Sequence, residues 1–171
     1  MPLSDSNIKK AMKKGEIKIT PFEPSQLGGA TVDLTLSDEW YFFKKKFHNK
    51  IVDLKETDFN EALELKKAKI ITLKPGEMCL GKTIEKITLS PSIMGKLEGR
   101  TRYARMGLCI HVTAALVQPG SDNRQVLEIV NFAPFSIKLH AGMRITQILF
   151  EKMDSPTTKP YAKFGKAAKV Q

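Results

Sequence analysis

Proline and glycine interrupt this sequence at short intervals after a single helical segment near the N-terminus. From Ile17 onward, short runs rich in valine, isoleucine, threonine and phenylalanine alternate with turn-forming residues. The interrupting residues are Pro21, Pro24, Gly28-Gly29, Pro75-Gly76, Pro91, Pro119-Gly120, Pro134 and Ala141-Gly142. Because this spacing leaves room for strands but not for long helices, it predicts a mainly β fold, either a sandwich or a barrel.

The one strong helix signal lies before these runs. Ser4 or Asp5 can cap a short N-terminal helix, and Gly15 is placed to end it. The apolar side of this helix carries Ile8, Ala11 and Met12. The expected strands cover residues 31–36, 40–43, 70–73, 78–89 in one or two pieces, 95–97, 109–112, 126–131, 136–139 and 145–150. Residues 55–69 fit two alternatives, one or two helical turns or a charged insertion in a hairpin.

The length and apolar content of the chain fit one domain. With 171 residues, of which 42% are hydrophobic, the sequence can bury a substantial core, so a single domain is expected over residues 1–171. The tail from about residue 155 to residue 171 is rich in lysine and alanine, contains two prolines and lacks a strand pattern. This tail is a candidate mobile lid.

The sequence carries no targeting or membrane signal. No stretch approaches the roughly 20 apolar residues of a membrane-spanning helix. Cys79 and Cys109 lie in apolar runs and belong to no Cys-x-x-Cys pair, which predicts buried free thiols in a reducing compartment. These features predict a cytoplasmic protein without a membrane partner.

The strongly basic composition favours an anionic partner. The formal net charge is +10 and the isoelectric point is near 9.6, which is compatible with nucleotides, nucleic acid or acidic surfaces. Lysines concentrate at 44–46 with Lys50, and at 66–67 with Lys69. Solvated loops and strand edges explain these lysines more simply than a nucleic-acid footprint does, and the net charge can also attract an anionic substrate.

Three arginines form the most conspicuous charged cluster. Arg100, Arg102 and Arg105 lie within six residues, and Gly99 and Gly107 bracket them. The glycines argue against a long helix, and the intervening Thr101 adds a hydroxyl. The segment therefore predicts an anion cradle suited to a polyphosphate, with ordinary surface charge as the alternative.

A single carboxylate interrupts an apolar run further along the chain. Glu128 lies between Leu127 and Ile129, so it must be paired, exposed on one face of an edge strand, or engaged in chemistry.

His111 also lies in an apolar strand and fits a core histidine whose hydrogen bonds are satisfied. No histidine pair has metal-ligand spacing, and the His-x-Glu and Pro-Cys-x-x-Cys signature of zinc deaminases is absent, so zinc chemistry is disfavoured.

Nearly end to end, the chain resembles the dCTP deaminase branch of the dUTPase superfamily. The specific element of that family is Gly-Arg-Ser-Ser-Leu-Ala-Arg-x-Gly-Leu, which here reads Gly-Arg-Thr-Arg-Tyr-Ala-Arg-Met-Gly-Leu from Gly99. The other matching segments are Leu3-Ser4-Asp5, Ile19-Thr20-Pro21-Phe22, Val32-Asp33-Leu34, Leu73-Lys74-Pro75-Gly76-Glu77, His111-Val112-Thr113-Ala114, Leu127-Glu128, Ala141-Gly142-Met143 and Pro160-Tyr161.

This resemblance implies a distorted antiparallel β-barrel or jelly roll of the dUTPase type. It also implies a homotrimer with active sites between subunits, each binding a deoxynucleoside triphosphate whose phosphates, not protein side chains, hold Mg²⁺. No zinc is implied. The implied substrate-binding residues are Arg100, Thr101, Arg102, Arg105, Ala114, Gln118, Val126, Tyr161 and Lys163. The arginines and Thr101 would hold phosphates, and main-chain groups near Ala114 and Val126 would contact the pyrimidine.

By the same resemblance, Glu128 is the catalytic residue. It would activate water to attack C4 of cytosine and then help ammonia to leave, converting dCTP to dUTP. Because dUTPases proper carry an apolar residue at this position of the motif, a glutamate here indicates deamination.

Two residues depart from the family pattern. Arg102 replaces a serine and adds a positive charge. Gln118 replaces an aspartate that contacts the deoxyribose and serves in dUTPases as the base for triphosphate hydrolysis; an amide cannot accept that proton. The loss of this base argues against triphosphate hydrolysis. The alternatives to a deaminase are a dUTP diphosphatase that releases dUMP and pyrophosphate, a bifunctional enzyme, or a non-catalytic protein that binds nucleotide or nucleic acid. The expected ligand is dCTP, with dUTP and dTTP as further candidates.

The tail is the least specific part of the match. Tyr161 and a tail lysine would close over the triphosphate. Lys163-Phe164 stands for the family's Lys-Tyr pair, with Lys166 and Lys169 as competing candidates, and Gln171 is the candidate for the family's tail glutamine.

Overall fold

The protein is mainly β, as predicted. A computed structural model describes residues 1–165, and within them eleven strands and four short helices follow one another along the chain. The elements are α1 (Asp5–Lys13), β1 (Ile17–Thr20), β2 (Thr31–Phe43), α2 (Phe59–Ala62), β3 (Leu63–Lys67), β4 (Ile70–Leu73), β5 (Met78–Leu89), β6 (Ile93–Gly99), α3 (Thr101–Ala104), β7 (Leu108–Ile110), β8 (Leu116–Val117), β9 (Asp122–Asn131), β10 (Ile137–His140), β11 (Arg144–Lys152) and α4 (Tyr161–Phe164).

One antiparallel sheet forms most of the molecule. Its strands follow the order β7-β9-β5-β2-β11-β6-β8, with β1 paired to β5 and β3 paired to β2. A separate ribbon pairs β10 with β4. The main sheet curls into a half-barrel, which confirms the predicted distorted antiparallel architecture.

Two register shifts account for much of this curl. The pairing of β2 with β5 shifts between Leu36 and Trp40, and the pairing of β5 with β9 shifts between Lys82 and Lys86. Such bulges bend a strand and increase its twist. At the first of them, Leu36 and Ser37 are both buried, so the side-chain alternation breaks within one continuous strand. The prediction of two strands at 31–36 and 40–43 was therefore wrong.

The ambiguous segment at 55–69 contains a helical turn, α2, which is one of its two predicted alternatives, and a strand, β3. Asp58 caps α2 by accepting a hydrogen bond from the Asn60 amide, and β3 follows at once. The strands β1, β3 and β8 were not predicted. β3 is mostly exposed and β8 has only two residues, so neither carries a readable alternation of polar and apolar side chains.

The core lies inside the curled sheet and under α1. Ile8 and Ala11 of α1 are buried with residues of every long strand, among them Leu34, Trp40 and Phe150. Gly15 follows the helix with a φ of +73°, as its predicted role at the helix end requires. Within residues 1–165, no helix is long and apolar enough to cross a membrane.

The two cysteines are free, as predicted, but differ in burial. Cys79 is fully buried, and burial raises the pKa of its thiol to about 12. Cys109 is only half-buried because it lies on β7, at the edge of the sheet.

Candidate active site

A cavity of about 650 Å³ opens beside β9. Its walls are formed by Tyr41, Phe59, Asn60, Leu63, Leu65, Leu80, Leu97, His111, Ala114, Leu116, Val117, Gln118, Ser121, Asn123, Gln125, Val126, Glu128 and Tyr161. Five predicted site residues are among them: Ala114, Gln118, Val126, Glu128 and Tyr161. This first cavity therefore brings together Glu128, the residues expected near the nucleobase and sugar, and Tyr161, which was expected over the triphosphate.

Glu128 is the one carboxylate among the residues that line the first cavity. It lies on β9 between β5 and β7, opposite Leu80, and its side chain is half-buried. The exposed face of an edge strand, one alternative at this position, is thus contradicted. The Thr113 amide donates to Oε2 at 2.9 Å, and the Thr113 hydroxyl lies 3.1 Å from Oε1. Thr113 therefore fixes the orientation of a half-buried carboxylate that faces the first cavity.

His111 makes this clamp possible through its backbone. Its φ is +56°, in the left-handed region, and its amide donates to the Glu128 carbonyl at 2.9 Å. After pairing with β9, the chain turns here so that Thr113 faces the carboxylate. Sequence reasoning did not assign a role to Thr113, although its hydroxyl two residues after His111 was the available signal.

The imidazole of His111 is buried without hydrogen-bond partners in the described part of the chain. Neither Nδ1 nor Nε2 has one, so the expectation of a core histidine with satisfied bonds was wrong. Burial lowers the pKa of His111 to about 4, which outweighs the opposing influence of Glu128 and Glu98. The ring is therefore neutral at physiological pH.

Apart from Glu128, the described residues that line the first cavity carry no charged side chain at neutral pH. One wall is a row across four strands, in which Leu65, Tyr41, Leu80 and Glu128 stand side by side in register. Another is polar, and it includes Gln118 and the buried side chains of Ser121, Asn123 and Gln125. The sequence did not reveal this four-strand row, because its outer strand, β3, was not predicted.

A second cavity, of about 370 Å³, holds part of the arginine cluster. Arg100, Thr101 and Arg102 line it together with Ser25, Gln26, Leu27, Gly28, Thr31, Asp33 and Gln147. It shares no lining residue with the first cavity. Within one chain, the structure therefore separates the predicted phosphate-binding residues from Glu128.

Arg100 is already paired in the second cavity. One guanidinium nitrogen lies 3.1 Å from Asp33 Oδ2, and another donates to the Arg144 carbonyl at 2.9 Å. Burial raises the pKa of Asp33, and the nearby Arg100 and Arg144 partly oppose that shift. Arg102 is exposed and its guanidinium lies 5.7 Å from the Tyr103 ring centroid, so it remains open to an anion.

Other predicted residues lie outside both cavities. Arg105 follows α3 and is exposed, and Lys163 lies on the exposed side of α4. Lys166, Lys169 and Gln171 fall outside the described residues. Among residues 1–165, no group of three or more His, Cys, Asp and Glu side chains is placed to hold a metal ion.

Comparison with known proteins gives one consistent family. A model of dCTP deaminase-like proteins matches residues 2–153. A protein of Methanopyrus kandleri named "dCTP deaminase, dUMP-forming" is 37% identical over 167 residues, 94% of this chain and 86% of the relative. A Rhodospirillum rubrum protein named "dCTP deaminase" is 37% identical over 171 residues, 95% of this chain and 88% of the relative.

A solved structure shares the fold. The crystal structure of 2'-deoxycytidine 5'-triphosphate deaminase from Agrobacterium tumefaciens superposes with a TM-score of 0.67 at 18% identity, covering 90% of this chain. The match spans 49% of that longer chain. This likeness independently supports the curled antiparallel architecture.

Proposed function

The chain belongs to the dCTP deaminase-like family, and on that premise we propose that it hydrolyses dCTP to dUTP and ammonia. The observation that carries the proposal is Glu128, a half-buried carboxylate held by Thr113 at the wall of the first cavity. Deamination needs one group that takes a proton from water and returns it to the leaving amine. Glu128 can do both.

The proposed reaction proceeds by addition and elimination at C4 of cytosine. Glu128 accepts a proton as a water oxygen bonds to C4 and the C4=N3 π bond opens, and it passes that proton to N3. Glu128 then takes the proton of the new hydroxyl and gives it to the exocyclic amine as the C4–N bond breaks, which releases ammonia and leaves the uracil carbonyl. The hydrogen bonds from Thr113 leave the carboxylate with further lone pairs for that water. Main-chain groups of Ala114 and Val126 hold the pyrimidine, and Gln118 hydrogen-bonds the sugar.

The triphosphate end of the site is proposed to come from a neighbouring subunit. Arg100, Thr101 and Arg102 open into a different cavity from Glu128, so a complete site needs a second chain. Large apolar side chains stand exposed beside the edge strand β7, namely Met106, Val112, Phe132 and Phe135. A homotrimer would cover such a patch, and Arg105 would complete the phosphate contacts.

Magnesium is proposed to enter with the triphosphate. Mg²⁺ keeps several water ligands and is commonly bound through substrate phosphates, where it offsets their negative charge. The described residues provide no carboxylate cluster of their own for it. The proposed chemistry uses no zinc, because the sequence lacks the zinc-deaminase signature.

The proposed location is the cytoplasm. Both cysteines are free, which fits a reducing compartment.

A second candidate is a bifunctional enzyme that continues to dUMP. The name "dUMP-forming" of the Methanopyrus kandleri relative favours it. Gln118 opposes it, because hydrolysis of the triphosphate needs a base and an amide does not serve as one. Among the described residues that line the first cavity, Glu128 is the single carboxylate, and it is already assigned to deamination. The proposed product is therefore dUTP.

One assay tests both candidates. dCTP and dUTP are incubated separately with Mg²⁺, and dCTP, dUTP, dUMP and dCMP are resolved by chromatography. Wild type should convert dCTP to dUTP and leave dUTP intact. Glu128→Gln should lose about 10²–10⁴-fold in rate, the usual contribution of a general acid/base, and Gln118→Asp should gain dUMP formation.

Glu151→Gln is the matched control. Glu151 is a half-buried glutamate on β11 that lines neither cavity, and its substitution should leave the rate unchanged. Equal rates for wild type and Glu128→Gln would contradict the proposed mechanism. Rapid formation of dUMP by wild type would contradict the interpretation of Gln118.

A further inference from the structure

The described part of the tail is bound to the body of the protein rather than free. The Thr157 amide donates to the Pro91 carbonyl at 3.0 Å. The Tyr161 and Ala162 amides donate to the carbonyls of Pro119 and Gly120, each at 3.0 Å. These bonds fix the path of the segment that carries Tyr161 to the cavity wall next to Gln118.

Gly120 makes the closest approach between this segment and the body. A Cβ at this position would lie 2.4 Å from Pro160 Cβ, 2.8 Å from Pro160 Cα and 3.1 Å from the Tyr161 nitrogen. The φ of Gly120 is +76°, a conformation that glycine adopts readily and other residues do not. A side chain at position 120 would therefore displace Pro160 and Tyr161 together.

The other side of Tyr161 is fixed by a second glycine. Gly165 donates its amide to the Tyr161 carbonyl at 2.7 Å, and a Cβ on Gly165 would lie 2.4 Å from the tyrosine ring. Gly165 is thus packed against the Tyr161 ring, whereas the turn at Gly120 is packed against Pro160 and the Tyr161 nitrogen. This arrangement leaves Tyr161 few alternative positions while the segment stays bound.

We propose that the turn formed by Pro119 and Gly120 is the docking seat for the C-terminal segment, and that Gly120 is the positioning residue that sets Tyr161 against the first cavity. The seat directly follows Gln118, and Ser121 donates its hydroxyl to the Gln118 carbonyl at 2.7 Å. The same turn therefore positions both Gln118, which is proposed to bind the sugar, and Tyr161 of the tail. The catalytic consequence rests on the proposed function; the docking itself does not.

The test compares Gly120→Ala with Gly76→Ala. Gly76 has nearly the same backbone conformation, with a φ of +77°, so alanine would be equally strained at either position. A Cβ at Gly76, however, would meet no atom within 4 Å. Docking is measured without substrate, as cleavage by trypsin after Lys163 and by chymotrypsin after Tyr161, followed by intact mass. Gly120→Ala should be cleaved about tenfold faster than Gly76→Ala, because cleavage follows the population of the open tail.

A second pair of variants leaves the body of the protein untouched. Ala162→Pro removes the amide that donates to Gly120, whereas Ala162→Gly keeps it. Only the proline variant should show the faster cleavage. Equal cleavage of Gly120→Ala and Gly76→Ala, or of the two Ala162 variants, would overturn the docking seat.

Kinetics with dCTP tests the positioning role. If Tyr161 is set for substrate binding, Gly120→Ala should raise KM about tenfold and change kcat by less than about twofold, with Gly76→Ala near wild type. A fall in kcat at unchanged KM would overturn that role. If Gly120→Ala shows the faster cleavage but the wild-type protein does not deaminate dCTP, the docking seat is supported and the proposed function is contradicted.

Discussion

His111 combines a strained backbone with a desolvated side chain. Its left-handed φ lets the next residues turn toward Glu128, and its ring is buried with no hydrogen bond among residues 1–165. Both features cost free energy, because a bulky residue rarely adopts positive φ and a buried imidazole loses its water contacts. Such costs are common where a chain must present particular groups to a ligand, and here the group presented is the carboxylate clamp of Thr113.

The lowered pKa of His111 predicts a specific loss of stability in acid. Its folded pKa is about 4 and its ordinary value is 6.5, so between these values the unfolded chain binds more protons than the folded one. Stability is therefore present above pH 6.5 and is lost as the pH falls toward 4. From pH 7 to pH 5 the loss is about 2 kcal/mol. His111→Asn should lack this loss, and asparagine tolerates the positive φ.

Urea unfolding at pH 7 and pH 5 measures this difference. Other groups also titrate in this range, so the relevant quantity is the change in wild type minus the change in the variant. His48→Asn, at an exposed histidine, controls for substitution itself. A difference between wild type and His111→Asn that stays constant with pH would contradict the burial of this ring.

The functional residue types were predictable from the sequence, but their contacts were not. Glu128 stands out because a charge interrupts an apolar run, and the arginines stand out because glycines bracket them. The partners of Glu128 depend on a left-handed residue, and histidine at such a position carries no reliable sequence signal. The pairing of Arg100 with Asp33 spans 67 positions of the chain, which local patterns cannot reveal.

At the level of elements, the arginine cluster is positioned by the joint between α3 and β7. Gly107 lies there with a φ of +80°, and its carbonyl accepts the Phe132 amide at 2.8 Å. A Cβ on Gly107 would lie 2.7 Å from the Ala133 nitrogen and 2.9 Å from its Cα. Because those atoms belong to the backbone, Ala133 cannot make room for a Cβ by rotating its side chain.

Gly107→Ala should therefore destabilise the protein by more than its backbone strain alone. About 1–2 kcal/mol is expected from the left-handed φ and about 1–3 kcal/mol more from displaced backbone. Gly142→Ala is the matched control, since Gly142 has a φ of +89° and a Cβ there would meet nothing within 4 Å. Chemical unfolding of both variants measures the difference. Equal losses would contradict the tight contact with Ala133.

Uninterrupted alternation of buried and exposed side chains made two strands predictable in full, although the four-residue strand β1 also alternates and was not predicted. The strands β4 and β5 coincide with their predicted ranges because their buried and exposed residues alternate throughout. β2 was divided in the prediction because a bulge places two buried residues in succession. Such a bulge depends on pairing with a distant strand, so the sequence of β2 alone does not reveal it.

At the scale of the whole molecule, charge should affect the capture of substrate. A net charge of +10 attracts a nucleoside triphosphate from a distance, and salt weakens that attraction.

The two halves of the proposed site open into separate cavities of one chain. If each site is shared between two subunits, as proposed, assembly is a condition for activity.

Mixing two inactive variants tests whether sites are shared between subunits. Arg105→Ala keeps Glu128 but loses a proposed phosphate contact, and Glu128→Gln keeps the arginines but loses the acid/base. Each should be inactive alone. After unfolding and refolding together in equal amounts, random assembly should give sites with both intact residues in about a quarter of cases. Ammonia release from dCTP should recover to about that fraction of wild type. No recovery, with mixed oligomers verified by native mass spectrometry, would mean that each chain carries its own complete site.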